Sequence, residues 1–296
     1  AREPGATAIV DGDVRLSYAE WQADIQRLAG GLNGLGLSTG DHLVAALSNR
    51  LEMASLYWAC QTLGVVFSPF NWRASGSEMA YVIEDAEAKV VIYESRSAEA
   101  VLAAVIETGF PVGQLIRVDG DGAGIDYAGL TAAEPYNGLE AADDDAICLM
   151  LYTSGTTGRP KGVPRSHAAE RTASLGCLAQ LHYRHGEVSL GVMPLFHTMG
   201  VRSLLMSAFL NGTFVCMPAY DTRAALAMVG EEKITSLFLV PTMFHDIVHR
   251  ADLKDFNLSS VNNIAYAGMS MTTALVERCA AIFPEAQFSN FYGSSE

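Results

Sequence analysis

The segment Tyr152-Thr-Ser-Gly-Thr-Thr-Gly-Arg-Pro-Lys-Gly162 has the densest chemistry in the chain: seven of its eleven residues are Ser, Thr or Gly. Glycines let the backbone turn so that several N–H groups converge on one point. The hydroxyls of Thr153, Ser154, Thr156 and Thr157 add donors, and Lys161 adds a cation. A polyphosphate needs many donors, little side-chain bulk and a positive charge. An ordinary Ser/Gly surface loop is the plain alternative, and the apolar run immediately before the segment argues against it. The P-loop pattern does not fit, because Lys161 is followed by Gly162 and is separated from Gly158 by Arg159 and Pro160.

Other reactive residue types are more scattered. Cys60, Cys148, Cys177, Cys216 and Cys279 are odd in number, far apart and set in apolar segments. They read as reduced core or near-core thiols of a cytoplasmic protein. His182/His185 and His245/His249 have helix-compatible spacing but no third ligand in a recognisable pattern, so a zinc site is not expected. Arg202 reads as a solvated arginine that could pair with a second carboxylate only if the substrate were a diacid. The net charge of −14 repels phosphate backbones, so nucleic acid is not an expected partner. No run of about 18 apolar residues is present, so no membrane span is expected.

The elements that must position the phosphate segment alternate between strand-like and helix-like. Short apolar runs occur at Ala8–Val10, His42–Leu47, Val65–Phe67, Lys89–Tyr93, Leu115–Val118, Ala146–Tyr152, Val188–Met193, Thr213–Met217, Ser236–Val240 and Ile264–Ala267. Longer segments with helical spacing lie between many of them. In Ser17–Leu35, for example, Tyr18, Trp21, Ile25, Leu28 and Leu32 share a face. Ser17 with Glu20, and Ser75 with Glu78, have capping-box spacing. The alternation predicts an α/β fold with largely parallel sheets buried on both faces. The polar stretch Asp119–Asp145 reads as a surface connection between a first α/β half, 1–145, and a second, 146–296.

At Tyr152–Gly162 the chain resembles the adenylate-forming superfamily of acyl- and aryl-CoA synthetases, luciferases and peptide-synthetase adenylation domains. The match to the signature loop of that superfamily is unbroken. Three further segments follow in the expected order: Pro194-Leu-Phe-His-Thr-Met-Gly200, Tyr266-Ala-Gly-Met-Ser270 and Asn290-Phe-Tyr-Gly-Ser-Ser-Glu296. By His-Ala-Ala-Glu at 167–170, Met193–His197 and Thr235–Phe238, the chain is most similar to aryl-CoA ligases of the 4-chlorobenzoate type.

The resemblance implies the large N-terminal domain of that superfamily, built of stacked α/β subdomains. It implies activation of a carboxylic acid by ATP and Mg²⁺ to an acyl-adenylate, followed by thioester formation with coenzyme A. It places the β- and γ-phosphates on Thr153, Ser154, Gly155, Thr156 and Thr157, with Gly158 and Lys161 closing the loop. Glu296 would hold Mg²⁺, and Ser295, where the superfamily usually has Thr, would donate to the α-phosphate. Tyr292 would stack on adenine, with Gly268, Met269 and Ser270 on its other side, and Asn290, Gly293 and Ser294 complete that motif.

Leu175, His197, Thr198, Met199, Phe238, Ala267 and Phe291 would line the acid pocket, which suits an aromatic or hydrophobic acid. His197 stands where amino-acid-activating domains typically carry an Asp for the substrate ammonium, so amino acids are disfavoured. With Lys161 and Glu296, His197 completes the implied catalytic set. A homodimer is a possible assembly. The final motif forms no cap or tail, so the hinge and C-terminal domain of the superfamily are expected beyond it. Two alternatives stay open: an adenylate-former that loads a carrier-protein thiol, and a non-catalytic nucleotide-binding relic of the fold.

Overall fold

The computed structural model describes residues 2–138, 143–153, 159–181, 183–250 and 252–295. Its strands, in chain order, are β1 (Thr7–Asp11), β2 (Val14–Ser17), β3 (His42–Ala46), β4 (Val66–Pro69), β5 (Ala88–Tyr93), β6 (Leu115–Arg117) and β7 (Ile125–Asp126). Then follow β8 (Ile147–Thr153), β9 (Lys161–Ser166), β10 (Val188–Gly191), β11 (Thr213–Cys216), β12 (Ser236–Leu239), β13 (Asn263–Tyr266) and β14 (Gln287–Asn290). Every apolar run picked out above is one of these strands.

The strands form two sheets of seven, in the orders β7-β6-β5-β3-β4-β8-β9 and β14-β13-β12-β10-β11-β1-β2. Pairing is parallel throughout except at one edge of each sheet, where β9 and β2 run antiparallel to β8 and β1. Central strands such as β4 and β12 are buried at all four positions. That burial explains their largely apolar character, with the buried Ser68 and Ser236 as exceptions, since a parallel strand has helices on both faces. The predicted α/β fold with largely parallel sheets is the observed one.

Two compact units contain these sheets. The first comprises Glu20–Arg171, Leu195–His197 and Ser295–Glu296; the second comprises Ala1–Ala19, Thr172–Pro194 and Thr198–Ser294. The division therefore does not follow the consecutive halves 1–145 and 146–296. Strand pairing is the reason. β1 pairs with β11 in the second sheet, while β8 pairs with β4 in the first.

In the first unit, Val44, Val91 and Tyr93 of the sheet pack with Met79, Val82, Ile83 and Val101 from the helices Gly76–Asp85 and Ala98–Thr108. The first of these helices begins at Ser75, which forms the predicted capping box with Glu78. In the second unit, Leu190, Val215, Leu237 and Ile264 pack with Leu226, Phe244 and Cys279.

The stretch Asp119–Asp145 is more than a surface connection. It adds β7 to the edge of the first sheet, then forms the short helix Tyr127–Thr131, capped by the Asp126 side chain. Leu130 on that helix is buried. Its backbone lies so near Gly31 that an added Cβ there would come within 2.4 Å of the Leu130 carbonyl oxygen. A glycine at position 31 is what lets the two segments pack.

Candidate active site

In the first unit, the phosphate segment closes the β8–β9 hairpin. Thr153 pairs with Lys161 in antiparallel register, so the two residues flank the turn. Lys161 is exposed and Thr153 is half-buried. Ser154, Gly155, Thr156, Thr157 and Gly158 lie outside the described residues.

The residues that flank the turn share an anchor. The Tyr152 hydroxyl donates to Asp85 Oδ2 at 2.9 Å, and the Tyr81 hydroxyl donates to Asp85 Oδ1 at 3.1 Å. The Arg159 guanidinium sits 5.5 Å over the Tyr81 ring, within cation–π range. Burial, and then the bond to Asp85, push the Tyr152 hydroxyl well above the ordinary phenol range, so it stays a donor. The last helical turn of Gly76–Asp85 thus fastens both shoulders of the phosphate turn.

Ser295 belongs to the same unit. Its carbonyl accepts from Arg165 Nη1 at 2.8 Å, and Arg165 pairs with the buried Glu170 at 2.8 Å. Glu296 lies outside the described residues. His197 presents an exposed side chain, and its ring is tilted against Phe196 with centroids 4.7 Å apart. Desolvation by the surrounding protein lowers its pKa below the ordinary histidine value, which favours the neutral imidazole near pH 7.

The second unit holds the residues read as acid and adenine contacts. Phe238, Ala267, Met199 and Phe291 join one apolar cluster with Leu181, Met206 and Ala265. Sheet register brings them together. Phe238 is opposite Ala265 and Tyr266 is opposite Asn290, so Ala267 and Phe291 both follow the carboxyl ends of adjacent parallel strands. The Phe291 amide then bonds the Tyr266 carbonyl at 2.8 Å. The Phe238 and Phe291 rings lie 5.6 Å apart at 55°.

Thr198 and Met199 open the helix Thr198–Phe209, and both are half-buried. Gly268 has φ +85°, which favours glycine, and Gly268, Ser270, Asn290, Gly293 and Ser294 are exposed. Met269 is 71% exposed and Tyr292 is fully exposed. These are large apolar groups on a surface that a flat ring could cover.

Leu175 does not join the cluster; it is 47% exposed. On the same helix, His167–Leu181, the inward residues are Cys177, Leu178 and Leu181. Apolar residues occur on more than one face of this helix, so spacing alone does not single these out; Met206, seven residues beyond Met199, does follow helical spacing. Arg202 is buried rather than solvated, at 4% exposure, and its Nη1 donates to Ser174 Oγ at 2.7 Å. Asp85, Asn49 and Arg165 went unnoticed in the sequence, because their partners lie in distant segments.

The remaining reactive groups have structural roles. The five thiols are free, and all but Cys177 are buried. Burial pushes Cys148 up to about 12 and Cys279 up to about 11, so neither is a nucleophile near neutral pH. His245 and His249 stack with centroids 4.1 Å apart; His182 lies outside the described residues. Among the described residues, no group of three His, Cys, Asp or Glu side chains is placed to hold a metal ion.

The sequence matches the AMP-binding enzyme family over residues 1–296. The chain belongs to that family. Among its relatives, a feruloyl-CoA synthase from Amycolatopsis sp is 31% identical over 93% of this chain and 54% of its own length. A 4-chlorobenzoate–CoA ligase from Arthrobacter sp is 28% identical over 100% of this chain and 56% of its own length. The chain therefore spans about half the length of the curated relatives it matches.

Among solved structures, the inhibitor-bound N-terminal domain of FACL13 from Mycobacterium tuberculosis superposes with a TM-score of 0.90 at 26% identity. The match covers 99% of this chain and 73% of that one. ATP-bound MatB from Rhodopseudomonas palustris gives a TM-score of 0.87 at 25% identity, covering 100% of this chain and 58% of that one. No helix among the described residues is long and apolar enough to cross a membrane.

Proposed function

We propose that this chain supplies the nucleotide- and acid-binding part of an AMP-forming acid–CoA ligase. The observation that carries the reading is the hairpin turn. A hydroxyl- and glycine-rich segment joins two paired strands, with Lys161 exposed at its exit, in a chain of the AMP-binding family. The CoA ligases among its relatives support the same reading.

A carboxylate oxygen of the acid attacks the α-phosphorus of ATP, the bond to the bridging oxygen breaks, and pyrophosphate leaves. Charge develops on the leaving oxygens, and fixed donors with a cation stabilise it. In this reading Thr153, Ser154, Gly155, Thr156, Thr157 and Gly158 hold the β- and γ-phosphates with Lys161. Ser295 donates to the α-phosphate. Tyr292 stacks on adenine against Gly268, Met269 and Ser270, while Asn290, Gly293 and Ser294 shape the same stretch of backbone. Mg²⁺, held by Glu296, would neutralise phosphate charge when bound. Glu296 lies outside the described residues. The thiol of coenzyme A then attacks the acyl carbon, and AMP leaves.

The acid itself is aromatic or hydrophobic. Phe238, Ala267, Met199 and Phe291 share one apolar cluster, and a neutral His197 cannot replace the anion that an amino-acid substrate requires. Thr198 adds a hydroxyl beside His197, while Leu175, on the outer face of its helix, takes no part in the pocket.

The test is pyrophosphate release by the full-length protein across a panel of acids, with and without coenzyme A. Release that depends on a benzoate- or cinnamate-like acid and yields its CoA thioester supports the proposal. Efficient exchange with amino acids overturns the substrate class. Adenylation without any thioester on coenzyme A favours a carrier-protein thiol as acceptor.

A further inference from the structure

The segment that bears His197 is tied to a residue far away in sequence. Asn49, just beyond β3, is 3% exposed, and its Oδ1 accepts a hydrogen bond from the Leu195 amide at 2.9 Å. The two residues are 146 positions apart. Leu195 and Phe196 are themselves buried, at 2% and 8% exposure, and His197 stacks on Phe196. Leu195–His197 belong to the first unit, whereas Pro194 and Thr198 belong to the second. These three residues form no part of a strand or helix. A loop residue of this kind needs an external partner for its buried amide.

Asn49 is well placed to act as a fixed point. It sits at the carboxyl end of β3, where the sheet order reverses: β4 lies on one side of β3 and β5 on the other. Ligand-binding crevices of open α/β sheets gather at such switch points. Its neighbour Arg50 is held by three carboxylates. Nε bonds Glu52 at 2.6 Å, and Nη1 bonds Glu94 at 3.0 Å and Asp119 at 2.6 Å. Glu94 follows β5, is 2% exposed, and also accepts from the Ser48 amide at 2.8 Å and the Ser48 hydroxyl at 3.1 Å. Residues 48, 49 and 50 are thus immobilised by the loops after β5 and β6. An asparagine held so rigidly can order the backbone it touches.

We infer that Asn49 is a positioning residue: through its side-chain carbonyl and the Leu195 amide it sets the Leu195–His197 backbone, and so the presentation of His197 to the acid. The link to the acid rests on the ligase reading above; the ordering of the segment does not. The geometry separates two roles. A general packing role for Asn49 depends on its volume, whereas the positioning role depends on one acceptor atom. Asn49→Leu keeps the branched outline, in a larger side chain, and removes the acceptor, whereas Asn49→Ser removes the acceptor without adding bulk. Asn49→Asp keeps the size and an acceptor oxygen, and exchanges the amide donor for a negative charge next to Arg50.

The experiment uses the full-length protein and two readouts. The first is hydrogen–deuterium exchange of the Leu195 amide, followed in peptides spanning 192–199. Loss of one buried hydrogen bond should speed this exchange in Asn49→Leu by about tenfold or more, with distant peptides unchanged. Asn49→Asp should restore protection. The second is acid-dependent pyrophosphate release. Asn49→Leu should raise KM for the acid by about tenfold while KM for ATP stays within about twofold, and Asn49→Asp should reverse the change. If Asn49→Leu does not fold, Asn49→Ser, whose hydroxyl is too short to reach the amide, replaces it in both arms.

Unchanged exchange at Leu195 in the leucine or serine variant overturns the inference. So does an equal rise in both KM values. If the wild-type protein releases no pyrophosphate with any acid, the ligase reading fails, and the exchange arm alone decides whether Asn49 orders the segment.

Discussion

Two glycine-to-alanine substitutions in helices of this chain should move stability in opposite directions, and the reason is local geometry. Gly176 lies in the helix His167–Leu181, is exposed, and has nothing within 4 Å of where a Cβ would stand. Alanine there gains helix propensity alone, about 0.8–1 kcal/mol. Gly200 is the third residue of the helix Thr198–Phe209 and is buried. A Cβ at Gly200 would stand 2.1 Å from the Pro194 carbonyl oxygen, 2.4 Å from its carbon and 2.5 Å from the Met193 carbonyl oxygen. All three are backbone atoms and cannot rotate away. Restoring ordinary contact requires the 193–194 backbone to retreat by roughly 1 Å in a close-packed interior. Overpacking of this kind costs about 1–3 kcal/mol, which outweighs a propensity gain that is small in the first helical turn.

Thermal unfolding of the full-length variants reads both effects. At about 2–4 °C per kcal/mol for a domain of this size, Gly176→Ala should raise Tm by about 2–4 °C and Gly200→Ala should lower it by about 2–12 °C. Gly200→Ala should also raise KM for the acid, because the displaced backbone leads directly into Leu195–His197. A Gly200→Ala variant with wild-type Tm and wild-type acid dependence would refute the closed turn between Met193 and Gly200. A Gly176→Ala variant with lowered Tm would show that the outer face of its helix is covered in the full-length protein.

Three further outcomes follow from the same geometry. Lys161→Met should leave Tm unchanged, because Lys161 is exposed, yet lower kcat/KM for ATP by roughly 10²–10³, which steady-state pyrophosphate release would measure. Arg165→Met should cost about 3–5 kcal/mol, read from denaturant midpoints, because it removes a cation from the buried Glu170. It also removes the Arg165 bond to the Ser295 carbonyl, so nucleotide affinity by calorimetry should fall with it. His42 has its pKa lowered by burial, against the opposing pull of Glu87 and Asp41. The unfolded chain therefore takes up this proton first as pH falls. The His42 contribution is fully present above about pH 6.5 and is lost as pH falls through the lower folded value. His42→Gln should flatten that part of the stability profile in urea melts between about pH 5 and 7.

The interior of each sheet was legible in the sequence and the edges were not. β3, β4, β5 and β12 are buried over most of their length, so their residues are mostly apolar. β9 hides because it contains Gly162 and Pro164; an edge strand tolerates both, since one side of its ladder is unpaired. β2 and β14 occupy the other kind of exposed edge and carry polar residues. β7 has two residues, too few for any periodicity.

The same asymmetry runs through the candidate site. Groups that would touch phosphate or adenine are constrained by chemistry to certain residue types at fixed spacing, so Tyr152–Gly162 and Asn290–Glu296 stand out in the sequence. Side chains that line an apolar cluster are constrained only to be apolar and to face inward, so Leu178 and Leu175 look alike until the helix face is known. Positioning groups are constrained least. Asp85 beneath Tyr152, Arg165 at Ser295 and Asn49 at Leu195 each need only a polar atom of the right reach, supplied from 67, 130 and 146 positions away. Nothing in a local window distinguishes them from ordinary surface residues. For Asn49 burial does, as it does for Arg202: a solvated arginine in the sequence is a 4% exposed one in the fold. The residues most informative about how this site is held in place are therefore those with the weakest sequence signal, and a search for them begins from buried hydrogen bonds of long sequence separation.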